Sequence, residues 1–126
     1  MEFPEELRYT EEHEWIRLDG AVGTVGITDY AQHELTDIVF VELPGPGTEV
    51  AHGKAFGTVE AIKAVSDLYS PLDGVVSEVN AELENNPEWV NEDPYGKGWM
   101  IRITVAQPSQ TVKLLSATEY RELVER

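Results

Sequence analysis

Short runs of β-forming residues, each ended by a turn signal, restrict the fold of this chain more than any other feature. Residues 38–43 form a run of mostly β-branched and aromatic residues, and the sequence Pro44-Gly45-Pro46-Gly47 stops it. Residues 99–105 alternate as a half-buried strand does. Further strands are predicted over residues 21–27, 55–62, 64–69 and 75–79. The sequence therefore predicts a mainly β fold.

Two segments carry helix signals instead. The pair Thr28-Asp29 can cap a short helix that extends to about Leu35. Ser116 and Glu119 have the spacing of a capping box, and the apolar residues behind them keep helical spacing. We therefore expect an amphipathic C-terminal helix that lies on the body of the protein. Residues 85–96 predict one long loop.

Length and charge limit the classes of partner. The 126 residues fit one domain, and 24 acidic against 9 basic residues give a formal net charge of −15. Such a surface repels nucleic acid and anionic membranes, whereas it suits basic patches on partner proteins. The charge could also serve solubility alone.

The N-terminal segment and the apolar stretches are not expected to act as targeting or membrane-spanning segments. The acidic segment Met1-Glu2-Phe3-Pro4-Glu5-Glu6 is unlike a signal peptide, and no apolar run has membrane-spanning length. We expect a cytoplasmic protein, although a mature protein of the mitochondrial matrix would have the same features.

The residue types that build common catalytic centres are missing or scattered. The chain has no cysteine, which excludes thiolate catalysis and cysteine-bound zinc. His13, His33 and His52 lack paired ligand spacing, so we expect them at surface or capping positions rather than on a metal. No serine lies in a nucleophile elbow, and Gly96-Lys97-Gly98 lacks the rest of a phosphate loop. Nothing in the sequence supports an enzyme.

Lys63 differs from the other lysines, Lys54, Lys97 and Lys113, because it lies between two predicted strands. The small residues Ala61 and Ala64 flank it, so a turn tip here would present the amine to a modifying enzyme with little bulk beside it. The turn lacks the Asn-Gly or Asp-Gly pair of tight hairpins. From the residues alone, an ordinary lysine at a hairpin end is the better interpretation.

Residues 57–71 resemble the lipoyl-attachment region of the glycine cleavage system H-protein family. Ordered blocks at matching distances extend the likeness over nearly the whole chain, which makes it specific. These blocks are His13-Glu14-Trp15, residues 25–32, residues 37–44, Ser66-Asp67, Ser70-Pro71, Gly74, residues 91–96 and residues 98–101. A minor departure is Ala61-Ile62, where the family often has serine and valine.

The resemblance implies a single lipoyl-carrier domain over residues 1–126, without catalytic activity of its own. Its fold would be a barrel-sandwich hybrid, the β-sandwich of lipoyl and biotinyl carriers, with short peripheral helices and a C-terminal helix. Lipoate would be joined to Lys63 by an amide bond after a lipoate-attaching enzyme has acted. The arm would shuttle the aminomethyl intermediate from the pyridoxal-phosphate glycine decarboxylase to the tetrahydrofolate-dependent aminomethyltransferase, and dihydrolipoamide dehydrogenase would reoxidise it. A monomer suits an arm that visits several enzymes.

The resemblance also implies roles for other residues. Glu60 would be recognised during lipoylation, while Gly47 and Gly74 would be turn residues that can take a positive φ. Glu14 and Asp67 match positions that would line a cleft for the loaded arm, where carboxylates suit a cationic amine. Both could instead be solvated acids on a very acidic surface.

Other carriers remain as alternatives. A lipoyl-relay variant of the same family would pass its lipoate to other complexes. A lipoyl domain of a 2-oxo acid dehydrogenase complex would normally have aspartate before the lysine and lack Gly98-Trp99-Met100. A biotinyl carrier usually has methionines on both sides of its lysine, where this chain has Ile62 and Ala64. An unmodified Lys63 would leave a plain β-rich binding module.

Overall fold

A computed structural model describes residues 1–125, in which nine strands and three short α-helices are formed. The strands are β1 (Arg8–Tyr9), β2 (Glu14–Asp19), β3 (Val22–Ile27), β4 (Ile38–Glu42), β5 (Glu49–Val50), β6 (Ala55–Ala61), β7 (Val65–Tyr69), β8 (Gly74–Val79) and β9 (Ile101–Val105). The helices are α1 (Asp29–Leu35), α2 (Trp89–Glu92) and α3 (Ala117–Val124), with 3₁₀ turns at Ala81–Glu84 and Pro108–Lys113. The predicted mainly β fold is confirmed.

The strands form two antiparallel sheets. Six strands follow the order β1-β2-β3-β9-β8-β5, and the other three follow the order β4-β6-β7. The expected sandwich of two sheets is confirmed, and neither sheet closes into a barrel within residues 1–125. No helix in this part of the chain is long and apolar enough to cross a membrane.

Alternating burial along the strands places the core between and beside the sheets. On β6, Val59 and Ala61 are buried while Glu60 between them is exposed, as the two-residue period of a strand requires. Partly buried Leu43 and Phe56 pack against both the cluster of the six-stranded sheet and the cluster of the three-stranded sheet. The apolar interior is therefore continuous from one sheet to the other.

Both predicted helices form and are capped as their sequences indicate. The Thr28 hydroxyl accepts from the Ala31 N–H at 3.1 Å and begins α1. Ser116 and Glu119 exchange hydrogen bonds of 3.2 and 2.9 Å at the start of α3. Tyr120, which α3 buries, stacks on Tyr9 with ring centroids 4.8 Å apart. The C-terminal helix thus lies on the body of the protein through an aromatic cluster.

Two local features differ from the predictions. The predicted loop over residues 85–96 contains the short helix α2, so that prediction is wrong in part. The predictions also omitted the two-residue strands β1 and β5 and the longer strand β2, in which Glu14, Trp15 and Ile16 are all buried. Three consecutive buried residues lack the alternation that marks a half-buried strand, so no two-residue period was available to find it.

Candidate functional site: the Lys63 hairpin and the neighbouring cleft

Strands β6 and β7 form a hairpin that carries Lys63 at its tip. Glu60 pairs with Val65, and the Ala61 N–H donates to the Ala64 carbonyl at 2.7 Å, which leaves Ile62 and Lys63 as the loop. Neither loop residue has a positive φ, so the turn needs no glycine. The Ile62 N–H donates to the Asp37 carbonyl at 3.2 Å, which ties the tip to the segment before β4. Lys63 therefore lies in a regular two-residue loop that is hydrogen-bonded to the segment before β4.

The Lys63 side chain is exposed and carries a free amine. Ile62 and Ala64 on either side are exposed as well. Within residues 1–125 the one ion pair joins Arg102 to Glu78 at 2.8 Å, so no carboxylate of the described chain pairs with the Lys63 ammonium. An enzyme that must enclose this amine would meet one bulky neighbour, Ile62, and one small neighbour, Ala64.

Glu60 lies on the exposed face of the same hairpin, at the middle strand of the three-stranded sheet. Its partners across the sheet are Phe40 on β4 and Val65 on β7, whose exposures are 47% and 65%. The carboxylate thus stands between two exposed apolar side chains, three residues before Lys63. We call Phe40, Glu60, Ile62 and Val65 the hairpin surface.

Gly47 and Gly74 lie elsewhere, beside the six-stranded sheet. Gly47 has a φ of 92° and donates its N–H to the Val76 carbonyl at 2.7 Å. The expectation of a turn residue is wrong for Gly74, which begins strand β8 and does not use the positive φ that a glycine can take. A Cβ at Gly74 would instead collide with the carbonyl oxygen of Thr104 on β9. Close approach of two strands therefore explains this glycine.

Glu14 and Asp67 line one cleft of about 260 Å³, which we call the Glu14 cleft. Its wall also includes Tyr30 and Leu35 of α1 and Val59 of β6. The cleft thus lies between the start of β2, helix α1 and the two strands that carry the Lys63 turn. A groove of about 360 Å³ around His52 and Lys113 shares no lining residue with it.

Glu14 is 1% exposed, and hydrogen bonds hold both its carboxyl group and its backbone N–H. Its carboxyl accepts from the Thr10 hydroxyl at 2.9 Å and from the Tyr69 N–H at 3.2 Å, and its own N–H donates to the Thr10 hydroxyl at 3.1 Å. Burial raises the pKa of Glu14 to about 8, although the Tyr69 and Thr10 hydrogen bonds oppose this rise. The interpretation of Glu14 as a solvated surface acid is therefore wrong.

Asp67 differs from Glu14 in its surroundings. It is exposed on the edge strand β7, opposite Thr58. The cleft thus offers one buried carboxyl that holds its proton near neutral pH and one solvated carboxyl. A cationic group entering the cleft would meet both.

His13 also lines the cleft, and sequence reasoning missed its place there. It is half-buried, lines the Glu14 cleft, and places Nδ1 2.8 Å from the Tyr120 hydroxyl. The expectation of a simple surface or capping histidine is therefore wrong for His13. Its position directly before Glu14 was the one available signal. No group of three or more histidines and acids in residues 1–125 could hold a metal ion.

Comparison with known proteins decides the family. The family model described as glycine cleavage H-protein matches residues 7–126. The chain belongs to the glycine cleavage H-protein family. A glycine cleavage system H protein of Carboxydothermus hydrogenoformans is 53% identical over 97% of this chain and 94% of its own length. One from Staphylococcus epidermidis is 52% identical over 98% of both chains.

The fold agrees with this H-protein assignment. The crystal structure of a glycine cleavage system H protein from Mycobacterium marinum matches with a TM-score of 0.87 at 36% identity, over 98% of this chain and 99% of that one. The H-protein is a lipoyl carrier in glycine cleavage rather than a catalyst, and it works with the other components of that system. The resemblance seen in the sequence is confirmed, and it favours an H-protein over a lipoyl domain of another complex.

Proposed function

We propose that Lys63 is the lipoyl attachment site of this carrier. The observation that supports this most is the position of Lys63 at the tip of the β6–β7 hairpin, exposed and without an ion-pair partner in residues 1–125. Lipoate, when bound, supplies a disulfide that is reduced as it accepts the aminomethyl group. The chain's own part is to hold the attachment point on a hydrogen-bonded turn and to present it.

The partners follow from this role. Glycine decarboxylase would load the arm, aminomethyltransferase would unload it, and dihydrolipoamide dehydrogenase would restore the disulfide. We propose a single carrier domain that acts in the cytoplasm. We also propose that it is a monomer, because a net charge of −15 disfavours self-association and suits basic partner surfaces. A tethered arm keeps its cargo at high effective concentration near each active site.

The hairpin surface is the region of this protein that a lipoate-attaching enzyme would recognise. Glu60 presents a carboxylate there between the exposed side chains of Phe40 and Val65. Glu60→Gln is expected to slow lipoylation of Lys63, with the rate followed by intact mass. Glu42→Gln is the matched control, since Glu42 is exposed and pairs with Thr58 farther from the turn. Equal rates for both variants would contradict recognition through Glu60.

The Glu14 cleft is the place where the loaded arm would be sheltered. The residues fit a cationic amine, because Glu14 and Asp67 supply carboxyl groups while Val59 and Leu68 supply apolar walls for a hydrocarbon chain. A cation beside Glu14 would favour its ionised form and cause release of the proton that burial retains. Binding of the cationic amine in the cleft would thereby be coupled to the release of one proton from Glu14.

Peptide mapping after lipoylation tests the attachment site. The protein is incubated with lipoate, ATP and a lipoate ligase, and intact mass is measured before digestion. We expect one lipoyl addition, confined to Lys63 and absent from Lys63→Arg, while Lys97→Arg is modified like the wild type. Addition spread over several lysines, or none at all, would contradict the proposal.

The decay of the loaded carrier tests the cleft. Loss of the cargo from a loaded arm would consume one water and would yield free thiol, formaldehyde and ammonium, so formaldehyde serves as the readout. Glu14→Ala is expected to release formaldehyde faster than the wild type, by about tenfold if one charge-assisted contact is lost. Glu11→Gln, an exposed acid outside the cleft, serves as the control. An unchanged decay rate in Glu14→Ala would overturn the assignment of Glu14.

A further inference from the structure

A chain of hydrogen bonds connects the C-terminal helix to the wall of the Glu14 cleft. The Ala31 N–H donates to the Thr28 hydroxyl at 3.1 Å, and this hydroxyl lies 2.7 Å from the Tyr120 hydroxyl. The Tyr120 hydroxyl in turn lies 2.8 Å from Nδ1 of His13. Tyr120 belongs to α3, whereas His13 lines the cleft. One tyrosine therefore joins the helix to the site.

The direction of these hydrogen bonds follows from the burial of Thr28. Its side chain is 0% exposed, and its oxygen already accepts from Ala31. If Tyr120 also donated to Thr28, the threonine proton would be buried without an acceptor, which is unfavourable. Thr28 must therefore donate to Tyr120, and the single proton of the Tyr120 hydroxyl must go to His13.

This direction fixes the state of the His13 ring. Because Nδ1 accepts a hydrogen bond, the ring is neutral and carries its proton on Nε2. No buried side-chain nitrogen or oxygen in residues 1–125 lacks a hydrogen-bond partner, so Nε2 is not an enclosed, unpaired atom. Nε2 makes no hydrogen bond in residues 1–125, so its N–H remains available as a donor.

The backbone of His13 also requires support. Its φ of 74° lies in the left-handed region, which is unfavourable for a residue other than glycine. The His13 N–H donates to the Thr10 carbonyl at 3.1 Å, and its carbonyl accepts from the Thr28 N–H at 3.0 Å. The ring packs 4.9 Å from that of Tyr30, between centroids. Contacts from three segments thus hold this conformation at the edge of the cleft.

We propose that Tyr120 is a positioning residue for arm shelter, whose hydroxyl holds His13 neutral and presents its Nε2–H at the cleft. This inference rests on the proposed function, because it presumes that the Glu14 cleft receives the loaded arm. The Nε2–H would donate to an acceptor of the arm, such as its amide carbonyl or a sulfur atom.

The charges around His13 explain why a neutral ring matters. Glu12 and Glu14 flank it in the chain. The cleft lining adds Glu34 and Tyr30 of α1 and Asp67 of β7. The ring itself is contacted by Tyr120 of α3. Glu12 and Glu34 favour the charged ring, but burial outweighs them and lowers the pKa of His13. An imidazolium here would repel a cationic cargo. The Tyr120 hydroxyl adds to the effect of burial by occupying Nδ1.

The decay of the loaded carrier tests this positioning. Tyr120→Phe keeps the aromatic ring and removes the hydroxyl, and it is expected to release formaldehyde at least about three times faster than the wild type. Tyr9→Phe is the matched control, because the Tyr9 hydroxyl donates to the Pro4 carbonyl in the same aromatic cluster and Tyr9 does not line the cleft. Equal decay in the two variants would overturn the proposal.

A double-mutant comparison separates positioning from general loosening. His13→Asn removes the ring, and asparagine tolerates the left-handed backbone. If Tyr120 acts through His13, adding Tyr120→Phe to His13→Asn leaves the decay rate unchanged. A further acceleration of similar size would show that Tyr120 acts independently of His13 and would overturn the proposal.

Nuclear magnetic resonance of the unlipoylated protein gives a readout that needs no arm. The ring nitrogen shifts of His13 are expected to show the Nε2–H form in the wild type. In Tyr120→Phe the pKa of His13 is expected to rise, since the donor that stabilises the neutral ring is lost. An Nδ1–H form in the wild type, or an unchanged pKa in the variant, would contradict the proposal.

If the cleft does not shelter the loaded arm at all, the decay measurement would give a different result. If loaded wild-type protein decays as fast as the same loaded protein in denaturant, the proposed shelter is wrong and the role of Tyr120 falls with it. If the wild type is protected and Tyr120→Phe is equally protected, only the inference about Tyr120 is wrong.

Discussion

Glu14 is the one buried aspartate or glutamate in residues 1–125, in a chain that has 24 of them. A buried carboxyl is unfavourable unless it is protonated or well paired, and here hydrogen bonds from Thr10 and Tyr69 only partly compensate for burial. Its neighbour His13 holds a strained backbone beside it. Residues with such properties concentrate at functional sites, which supports the assignment of this cleft.

The raised pKa of Glu14 predicts how folding stability depends on pH. The folded protein keeps this proton up to about pH 8, whereas the unfolded chain loses it near pH 4.5. The folded state therefore binds more protons between these values, and Glu14 contributes stability that is lost as the pH rises through this window. The loss is on the order of a few kcal/mol.

Glu14→Gln is expected to remove this dependence, because an amide does not titrate. Urea unfolding at pH 5 and pH 8 should show a smaller fall in the free energy of unfolding for Glu14→Gln than for the wild type. Glu11→Gln, which replaces an exposed acid, should keep the wild-type fall. A fall of equal size in all three proteins would contradict the buried, protonated Glu14.

At the scale of elements, the β6–β7 hairpin and helix α3 do most to build the site. The hairpin carries Lys63 at its tip. Its residues Val59 and Asp67 also line the cleft. Helix α3 is connected to the cleft through the contact of Tyr120 with His13. The six-stranded sheet supports both, and close packing of β8 on β9 depends on Gly74.

Gly74→Ala is expected to lower the free energy of unfolding by about 1–3 kcal/mol, because the new methyl group would displace the main chain of β9. Gly47→Ala should have a smaller effect of about 1 kcal/mol, since its φ of 92° is unfavourable but open space surrounds it. Denaturant unfolding of both variants measures the difference. A harmless Gly74→Ala would show that the two strands do not approach so closely.

The cap of helix α3 carries a separate prediction. Ser116→Ala removes the side-chain half of the capping box and is expected to lower the free energy of unfolding by about 1 kcal/mol. Ser109→Ala, in the exposed part of a 3₁₀ turn, should change it by less than about 0.5 kcal/mol. Thermal unfolding compares the two, and equal stability would contradict the role of the cap.

The sequence was informative where local rules decide structure. The runs that became β4, β6, β7 and β8 could be placed because turn residues bound them, and β9 followed from its alternation. Both capped helices followed from Thr28 and Ser116. Strand β2 could not be found, since burial on both faces removes its periodicity. The contact between His13 and Tyr120 spans 107 positions, and no local pattern predicts such a pair.

Over the whole molecule, the net charge of −15 sets how the carrier meets its partners. A field of one sign steers a small protein towards basic surfaces, and salt screens that attraction. The alternative is that the charge serves solubility alone, in which case salt would have little effect on association.

The association rate with aminomethyltransferase is therefore expected to fall by about tenfold or more between low salt and about 0.5 M salt. Stopped-flow fluorescence measures this rate directly. The dissociation rate should change much less, because steering acts on the encounter. An association rate that does not depend on salt would favour solubility as the purpose of the charge.

The most direct test of the account is glycine cleavage reconstituted from purified components, with this protein as the only carrier. We expect glycine-dependent NADH formation with the lipoylated wild type and with lipoylated Lys97→Arg, and only background formation with Lys63→Arg after identical treatment. That result would place the carrier function on Lys63. Full activity with Lys63→Arg, or none with the lipoylated wild type, would contradict it.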